Sequence, residues 1–395
     1  MKNFVFISPN FPANYWQFCC ALRINELRVL GIGDCPYDEL SPELRENLDE
    51  YYRVDSLMND DQVYRAVAFF IHKFGRIDWL ESNNEFWLER DARLRQDFNI
   101  SSGFRPEDMP CVKRKSRMKE RYIAAGIPVA RYHLVDDMAG CQAFLEEVGY
   151  PVVVKPDNGV GAVNTFKIKC REDLETFFRT KDDAEYIMEE FIDGTVCSYD
   201  AVVNSKGESI FETGNVSPIS IMDIVNDQGS CLFYIRGKLP EDLRSAGRAA
   251  VRAFGVRSRF VHFEFFRLNS DQAIGKAGQI AALEVNMRPS GGMSPTMMNY
   301  VNNTDVYQIW ADMIAFDASR KDVGRRQFCA FLGRRDERHY ALSDEQVRAR
   351  FGEYLREEGP VDGALRTDMG DYSFLFVFDT QEELEAVCAQ VLREE

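Results

Sequence analysis

The sequence contains no apolar run of the roughly 20 residues that a membrane span needs, and its N-terminus lacks the apolar core and cleavage site of a secretory leader. Its ten cysteines form no CxxC pair and no regular framework, so we expect reduced thiols in a cytoplasmic protein. The four histidines are scattered, which disfavours a histidine-rich zinc site. The formal net charge of −16 argues against non-specific nucleic-acid binding, because a polyanion would be repelled. We expect neither nucleic acid nor membrane as a partner.

The 395 residues are enough for two or three domains. From Phe4 to about Arg114, short apolar strands alternate with amphipathic helices such as Asp60–Phe74, which predicts a parallel sheet with helices on both faces. Ligands bind beyond the carboxyl ends of such strands. The loops Pro9–Asn14 and Ser82–Glu85 are therefore candidate substrate loops, with plain structural connection as an equal alternative.

A basic run and a glycine loop occupy the middle of the chain. Cys111–Arg121 begins a helix whose lysines could face a phosphate, although a solvated helix face is the simpler alternative. Tyr150–Pro156 is an apolar strand with a lysine near its end, and Asp157–Asn164 follows as a glycine-bearing loop whose N–H groups could point at a phosphate. The loop matches neither a Walker loop nor a GxGxxG motif, and a hairpin turn would also explain it. The strand Tyr186–Gly194 could read an adenine ring or simply expose two glutamates.

Two short apolar strands carry unexpected oxygen ligands. Val261–Arg267 contains Glu264, and Ala282–Gly292 contains Glu284, Asn286 and Arg288. Carboxylates in an apolar strand are costly to bury unless they are paired, and two carboxylates with an amide oxygen suit Mg²⁺ beside nucleotide phosphates. An arginine can hold a phosphate or carboxylate in a bidentate fork. The alternative is a polar-edged hairpin with two solvated glutamates.

The C-terminal part predicts a third unit. Phe328–Leu332 and Tyr372–Phe378 have the pattern of strands, and Ser343–Glu357 and Gln381–Glu394 have the pattern of helices. The predicted fold class is therefore α/β, with a parallel N-terminal part followed by mixed α+β units.

The order of these elements resembles the ATP-grasp superfamily, of the carboxylate–amine ligase type that includes biotin carboxylase and carbamoyl phosphate synthetase. The resemblance covers roughly Val112 to Met298. It implies a parallel α/β domain that precedes the ATP-grasp fold, an ATP-grasp fold of two α+β subdomains, and a small C-terminal α+β unit. The implied boundaries are 1–114, 115–327 (subdomains of about 115–187 and 188–327) and 328–395.

The resemblance also implies a role for each matching residue. Lys115 and Lys155 would contact the nucleotide phosphates, the loop that contains Asn158, Gly159 and Gly161 would close over the γ-phosphate, and Arg288 would neutralise the transferred phosphoryl group. The implied adenine hinge comprises Glu189, Glu190, Phe191 and Ile192. The implied metal ligands are Glu264, Glu284 and Asn286. The implied substrate loop comprises Ser290, Gly291 and Gly292.

One position departs from the family pattern. Many relatives place a ribose-binding glutamate where this chain has Val196, and Asp193 or Asp200 could stand in for it. His262 shares a strand face with Glu264 by period-two alternation. It could relay a proton, although a structural histidine is the more common explanation.

The function implied by the resemblance is ATP-dependent ligation, in which a small carboxylate is activated as an acyl phosphate and joined to an amine. ADP and phosphate are released, and the cofactors are ATP and Mg²⁺, with Mn²⁺ as a substitute. Two other functions stay open: an ATP-binding protein without turnover, and a phosphotransferase that releases a phosphorylated product. The expected partners are small-molecule carboxylates and amines, and homodimers are common in similar proteins.

Overall fold

A computed structural model describes residues 1–159, 164–219, 224, 228–324 and 326–395. Its N-terminal sheet is parallel, in the order β3-β2-β1-β4, as the alternating pattern predicted. Helices pack on both faces of this sheet. The strands are β1 (Asn3–Ile7), β2 (Arg28–Gly33), β3 (Glu50–Arg53) and β4 (Trp79–Glu81). The helices are α1 (Trp16–Ile24), α2 (Pro42–Glu46), α3 (Asp60–Phe74) and α4 (Leu88–Asp97).

A small antiparallel sheet, in the order β5-β8-β6-β7, follows two helices that lead into it. Helices α7 and α8 supply the apolar side chains that bury the sheet's inner face. The helices are α5 (Met109–Lys113), α6 (Lys115–Ala124), α7 (Met138–Val148) and α8 (Arg171–Thr180). The strands are β5 (Tyr132–Leu134), β6 (Val152–Pro156), β7 (Phe166–Ile168) and β8 (Tyr186–Glu190).

A large sheet forms the rest of the molecule. Its order is β14-β13-β9-β11-β12-β15-β17-β16, with β10 paired to β9, so the C-terminal strands extend the sheet that carries Glu264 and Glu284. The strands are β9 (Gly194–Val203), β10 (Ser209–Thr213), β11 (Asn215–Ser217), β12 (Cys231–Arg236), β13 (Arg259–Leu268), β14 (Ile280–Asn286), β15 (Phe328–Arg334), β16 (Leu355–Pro360) and β17 (Tyr372–Phe378). The helices are α9 (Glu241–Ala253), α10 (Ser294–Asn302), α11 (Val306–Phe316), α12 (Asp344–Phe351), α13 (Arg366–Met369) and α14 (Gln381–Val391).

These three sheets confirm the predicted fold class, but the helix predicted over Ser343–Glu357 is too long. It ends at Phe351, and the residues from Leu355 form β16, which pairs with β17. Side chains of β16 alternate between half-buried and exposed, which is the two-residue period of a strand at the edge of a sheet. The pairing with β17 therefore outweighs the helical pattern beyond Gly352.

A buried ionic contact joins the N-terminal sheet to the large sheet. Glu81, at the end of β4, accepts a hydrogen bond from Arg95 at 2.9 Å and lies 3.4 Å from the guanidinium of Arg259 on β13. Arg259 also donates to the carbonyl of Met287 at 2.6 Å. Because Met287 directly precedes Arg288, this contact fixes the end of β14 relative to the N-terminal sheet.

All ten cysteines are free thiols, as predicted. Within the described ranges, the structure contains no helix that is both long enough and apolar enough to cross a membrane.

Helix α9 packs closely on β9 at Gly247, where an added Cβ would lie 2.1 Å from the ring of Tyr199. Tyr199 is fully buried and its hydroxyl is held by Glu212 at 2.6 Å. We expect Gly247→Ala to lower the free energy of unfolding by about 1–3 kcal/mol, because the overpacked ring must move. Urea unfolding measures the loss. Gly363→Ala, which meets no atom within 4 Å, is the matched control and should stay within about 0.5 kcal/mol of the parent.

Candidate active site

The start of the glycine loop is fixed to the N-terminus of α6. The carboxylate of Asp157 accepts hydrogen bonds from the Ser116 amide at 2.8 Å and the Ser116 hydroxyl at 3.0 Å. This contact brings the Lys115 ammonium within 3.2 Å of the Gly159 carbonyl. Asn158 lies beside these residues, in a β-bridge with Arg114. Gly161 lies outside the described residues.

Two lysines meet at the predicted hinge. The carboxylate of Glu189 lies 3.1 Å from the ammonium of Lys155 through one oxygen and 3.1 Å from that of Lys119 through the other. All three side chains are almost completely buried. The contact with Lys119 is an ion pair whose atoms are not aligned for a hydrogen bond, so the Lys119 ammonium keeps donors without a partner.

Burial and neighbouring charges shift the pKa values of this triad, Glu189, Lys119 and Lys155, in different directions. Burial opposes ionisation of Glu189, but Lys119 and Lys155 outweigh it and lower the pKa of the carboxyl to about 2. Burial also opposes the charge of Lys155, yet Glu189 and then Glu284 raise its pKa. For Lys119 burial prevails and lowers the pKa. A second anion would stabilise the charge on Lys119, so the triad has the chemistry of a phosphate site.

The other hinge residues point elsewhere. Glu190 accepts hydrogen bonds from the Arg131 amide and guanidinium, each at 2.8 Å. The ring of Phe191 lies under the Lys167 ammonium at 3.9 Å, and Ile192 packs in a small apolar cluster. Of these four residues, only Glu189 directs its side chain at Lys119 and Lys155. A nucleotide would therefore meet the other three through their backbone or their apolar surfaces.

The predicted metal ligands meet on one sheet face. Glu264 on β13 is the cross-strand partner of Glu284 on β14, and His262 is the partner of Asn286. The Glu284 carboxylate lies 3.7 Å from the Lys115 ammonium. Lys155 also acts electrostatically on Glu264. These oxygen-bearing side chains therefore lie near the ammonium groups of Lys115 and Lys155.

His262 bridges two carboxylates. One ring nitrogen lies 2.8 Å from Asp200 on β9 and the other lies 2.9 Å from Glu264. Ser198 donates to Asp200 from the same face. Burial opposes the charge of His262, but Asp200 and Glu264 raise its pKa to about 10, so both nitrogens carry protons and donate. His262 thereby orients Glu264, as groups behind metal ligands commonly do.

The donor set fits a hard divalent cation. Glu264 and Glu284 keep 17% and 22% of their side-chain surface exposed. In the described part of the chain, the side-chain amide of Asn286 makes no hydrogen bond, so its oxygen is available as a ligand. Two carboxylates and one amide oxygen suit Mg²⁺, which takes oxygen ligands and commonly retains waters and phosphate oxygens.

A second polar group lies where the N-terminal loops meet the segment after Arg288. Asn14 donates to the Gly292 carbonyl at 3.2 Å, and the Tyr15 hydroxyl donates to the Asn83 carbonyl at 2.8 Å. Burial raises the pKa of Tyr15, and the charge of Arg288 offsets part of that rise. The structure therefore brings the two candidate substrate loops together, and the first of them contacts Gly292 in the segment after Arg288.

Several buried polar atoms in this group have no partner within the described structure. A buried polar atom without a partner costs about 1–3 kcal/mol, so a pocket that retains several is suited to a polar ligand. Gly291, between Ser290 and Gly292, is exposed and its Cβ position is open. The unpartnered atoms are Asn14 Oδ1, Asn83 Nδ2, Glu85 Oε2 and Ser290 Oγ.

Lys119 is one of the lysines of the basic helix that could face a phosphate, but its pairing with Glu189 was not predicted from the sequence. The contact of Asp157 with Ser116 was not predicted either. Lys119 lies one helical turn after Lys115, which was the available signal; nothing local marks Asp157. Both suggested ribose stand-ins are engaged by protein groups. Asp200 is held by His262 and Ser198, and Asp193 accepts from the loop after β13, including Asn269 at 2.8 Å.

Comparison with known proteins gives a family match. A family model described as an ATP-grasp domain matches residues 127–292. An L-arginine-specific L-amino acid ligase from Bacillus subtilis is 26% identical over 270 residues, which are 66% of this chain and 63% of the ligase. The match therefore spans less than two thirds of that relative.

Solved structures extend the likeness to the whole chain. The crystal structure of an L-amino acid ligase from Bacillus licheniformis superposes with a TM-score of 0.74 at 17% identity and covers 100% of this chain and 99% of that one. The biotin carboxylase domain dimer of the Hydrogenobacter thermophilus 2-oxoglutarate carboxylase, in complex with MgADP, has a TM-score of 0.66 at 14% identity and covers 96% and 86%. At these identities the likeness concerns the fold.

Proposed function

We propose that the chain, whose residues 127–292 match a family model described as an ATP-grasp domain, is an ATP-dependent, ADP-forming carboxylate–amine ligase. The observation that carries the proposal is the proximity of the Glu189 triad to Glu264 and Glu284, since both of these carboxylates act electrostatically on Lys155. A set of buried lysines beside a cluster of oxygen ligands suits a nucleotide whose phosphates bridge the two.

For the nucleotide, we propose contacts from Lys115 and Lys155 to the phosphates. The loop that begins at Asn158 and Gly159 would close over the terminal phosphate. The strand end at Glu189–Ile192 would meet the adenine through its backbone. The domain boundaries at 114 and 327 belong to the same proposal, although β15–β17 continue the central sheet.

For the metal, we propose that Glu264, Glu284 and Asn286 hold Mg²⁺, or Mn²⁺ in its place. A bound divalent ion would offset charge on the phosphates during transfer. The protein groups behind the ligands prepare the site: His262 orients Glu264, and Lys115 and Lys155 place positive charge beside Glu284.

For the carboxylate substrate, we propose an amino acid held at Arg288, Ser290, Gly291 and Gly292. The unpartnered atoms of Asn83 and Glu85 support a ligand with polar groups on more than one side, such as an α-ammonium beside a carboxylate. The name of the Bacillus subtilis relative agrees with this substrate class. The amine that accepts the acyl group would be a second small molecule. A homodimer in the cytoplasm completes the proposal.

The proposed reaction has two balanced steps. A carboxylate oxygen of the substrate attacks the γ-phosphorus of ATP, the bond to the bridging oxygen breaks, and ADP leaves. The amine nitrogen then attacks the acyl carbon, phosphate leaves, and the nitrogen loses a proton. Arg288 would stabilise negative charge in both steps, because a bidentate guanidinium matches phosphoryl and carboxylate oxygens.

ADP release across a panel of amino acids, with hydroxylamine as a trap, tests the proposal. We expect amino-acid-dependent ADP and phosphate in equal amounts, and a hydroxamate when hydroxylamine replaces the amine. Stabilisation by Mg·ATP without turnover would indicate a binding protein. A phosphorylated product that persists when amine is present would indicate a phosphotransferase. Either result would refute ligation.

A further inference from the structure

A second cleft, of about 800 Å³, opens away from the proposed active site. One wall contains Lys2, directly before β1, and Asp78 and Trp79, where β4 begins. The other contains residues 252–255, 257 and 258, which end and follow α9. The substrate loops leave the opposite, carboxyl-terminal ends of β1 and β4. The cleft therefore lies at the other edge of the parallel sheet and shares no lining residue with the proposed active site.

Positive charge predominates in this cleft, although the whole chain has a net charge of −16. The two lining carboxylates are already engaged: Asp78 accepts from the Asn3 amide at 2.8 Å and Asp108 accepts from the Arg105 amide at 2.8 Å. The cationic lining residues are Lys2, Arg121, Arg252 and Arg257.

Several lining groups lack a protein partner. Arg252 and Arg257 are exposed, and across the described residues neither guanidinium makes a hydrogen bond or an ion pair. Ser102 is only 6% exposed, yet its hydroxyl, which lines the cleft, has no hydrogen-bond partner in the described structure. A buried hydroxyl without a partner beside two unpaired guanidinium groups is a donor set for an anion.

The end of α9 does not oppose an anion strongly. A helix C-terminus carries partial negative charge on its free carbonyls, but here two carbonyls of the last turn accept backbone hydrogen bonds. Those of Ala250 and Val251 accept from the amides of Phe254 and Val256, at 2.9 and 3.0 Å. Arg252 in the last turn adds a positive charge.

We propose that this cleft binds a small phosphoryl-bearing anion of the di- or triphosphate class, with Arg252, Arg257 and Ser102 as its ligands. Planar guanidinium groups suit phosphate oxygens, and the volume suits a small ligand. The net charge of −16 disfavours a long polyanion, which would extend beyond the cleft. This site is independent of the proposed ligase activity.

Titration calorimetry with pyrophosphate tests the site on the full chain. It is done in EDTA, both in the parent and in a Lys115→Met/Lys155→Met background that removes the two lysines proposed to hold phosphates at the active site. We expect Arg252→Glu/Arg257→Glu to weaken binding at least tenfold and Ser102→Ala to weaken it severalfold. Arg350→Glu, an exposed charge reversal outside the cleft, should bind as the parent does. Far-UV circular dichroism and the KM for Mg·ATP in the ADP-release assay should be unchanged in every cleft variant.

Results of two kinds, on the variants and on the ligand preference, would overturn this site. One is pyrophosphate binding to the Arg252→Glu/Arg257→Glu variant as tight as to the parent, or absent from the parent. The other is citrate binding as tight as pyrophosphate, since that would contradict a preference for phosphoryl groups.

Discussion

Replacing Glu284 with glutamine is expected to lower kcat for ADP formation by about a thousandfold. The amide keeps the shape of the side chain but removes one of the two carboxylate charges that face each other across β13 and β14. A metal ion supplies several kcal/mol of charge stabilisation in such reactions, and about 4 kcal/mol corresponds to three orders of magnitude. The Lys115 ammonium, 3.7 Å from Glu284, would also lose its counter-charge.

Single-turnover ADP formation, measured as a function of Mg²⁺ concentration, distinguishes this effect from misfolding. We expect Glu284→Gln to require more Mg²⁺ and to stay slow at saturation, while ATP binding without metal stays near the parent value. Glu146→Gln removes an exposed carboxylate and should leave both parameters unchanged. A rate within tenfold of the parent at saturating Mg²⁺ would show that Glu284 is not a metal ligand.

The elements that local pattern specifies were predicted well. Helix α3 occupies the predicted residues because its apolar spacing is helical and Gly75, at φ 83°, ends it. The parallel N-terminal sheet follows from the same alternation. Strand β16 could not be predicted in this way, because its register depends on β17, which lies farther along the chain.

Some residues of the proposed site could be predicted from the sequence, and others could be recognised only in the folded structure. Residue type and order suggested Glu264, Glu284 and Asn286, and the strand register brings them to one face. Lys119 and Asp157 became recognisable only through contacts over long sequence separations, with Glu189 and Ser116 respectively. The conformation of the loop between β13 and β14 also depends on distant contacts, since the loop folds onto the turn at Asp193.

Glu189→Gln is expected to lower the free energy of unfolding by about 3–5 kcal/mol, because breaking a buried ion pair leaves an uncompensated charge. Here the variant leaves two ammonium groups, those of Lys119 and Lys155, side by side in a buried site. Urea unfolding at pH 7 measures the loss. Lys119→Met is the matched control: it leaves the pair between Glu189 and Lys155 intact, so its cost should be much smaller.

The loss should shrink as the pH rises. Burial already lowers the pKa of Lys119, and the loss of Glu189 removes the largest charge that opposes this effect, so the pKa in the folded chain falls further below the unfolded value of about 10.5. The unfolded chain then binds more protons below that pH, so the stability of Glu189→Gln rises with pH relative to the parent. The unfolding curves of the parent and of Glu189→Gln should therefore lie closer together at pH 9.5 than at pH 7. The double variant Glu189→Gln/Lys119→Met should recover part of the loss at pH 7. A deficit independent of pH, with no recovery in the double variant, would mean that Glu189 acts through packing and does not compensate the charge of the two lysines.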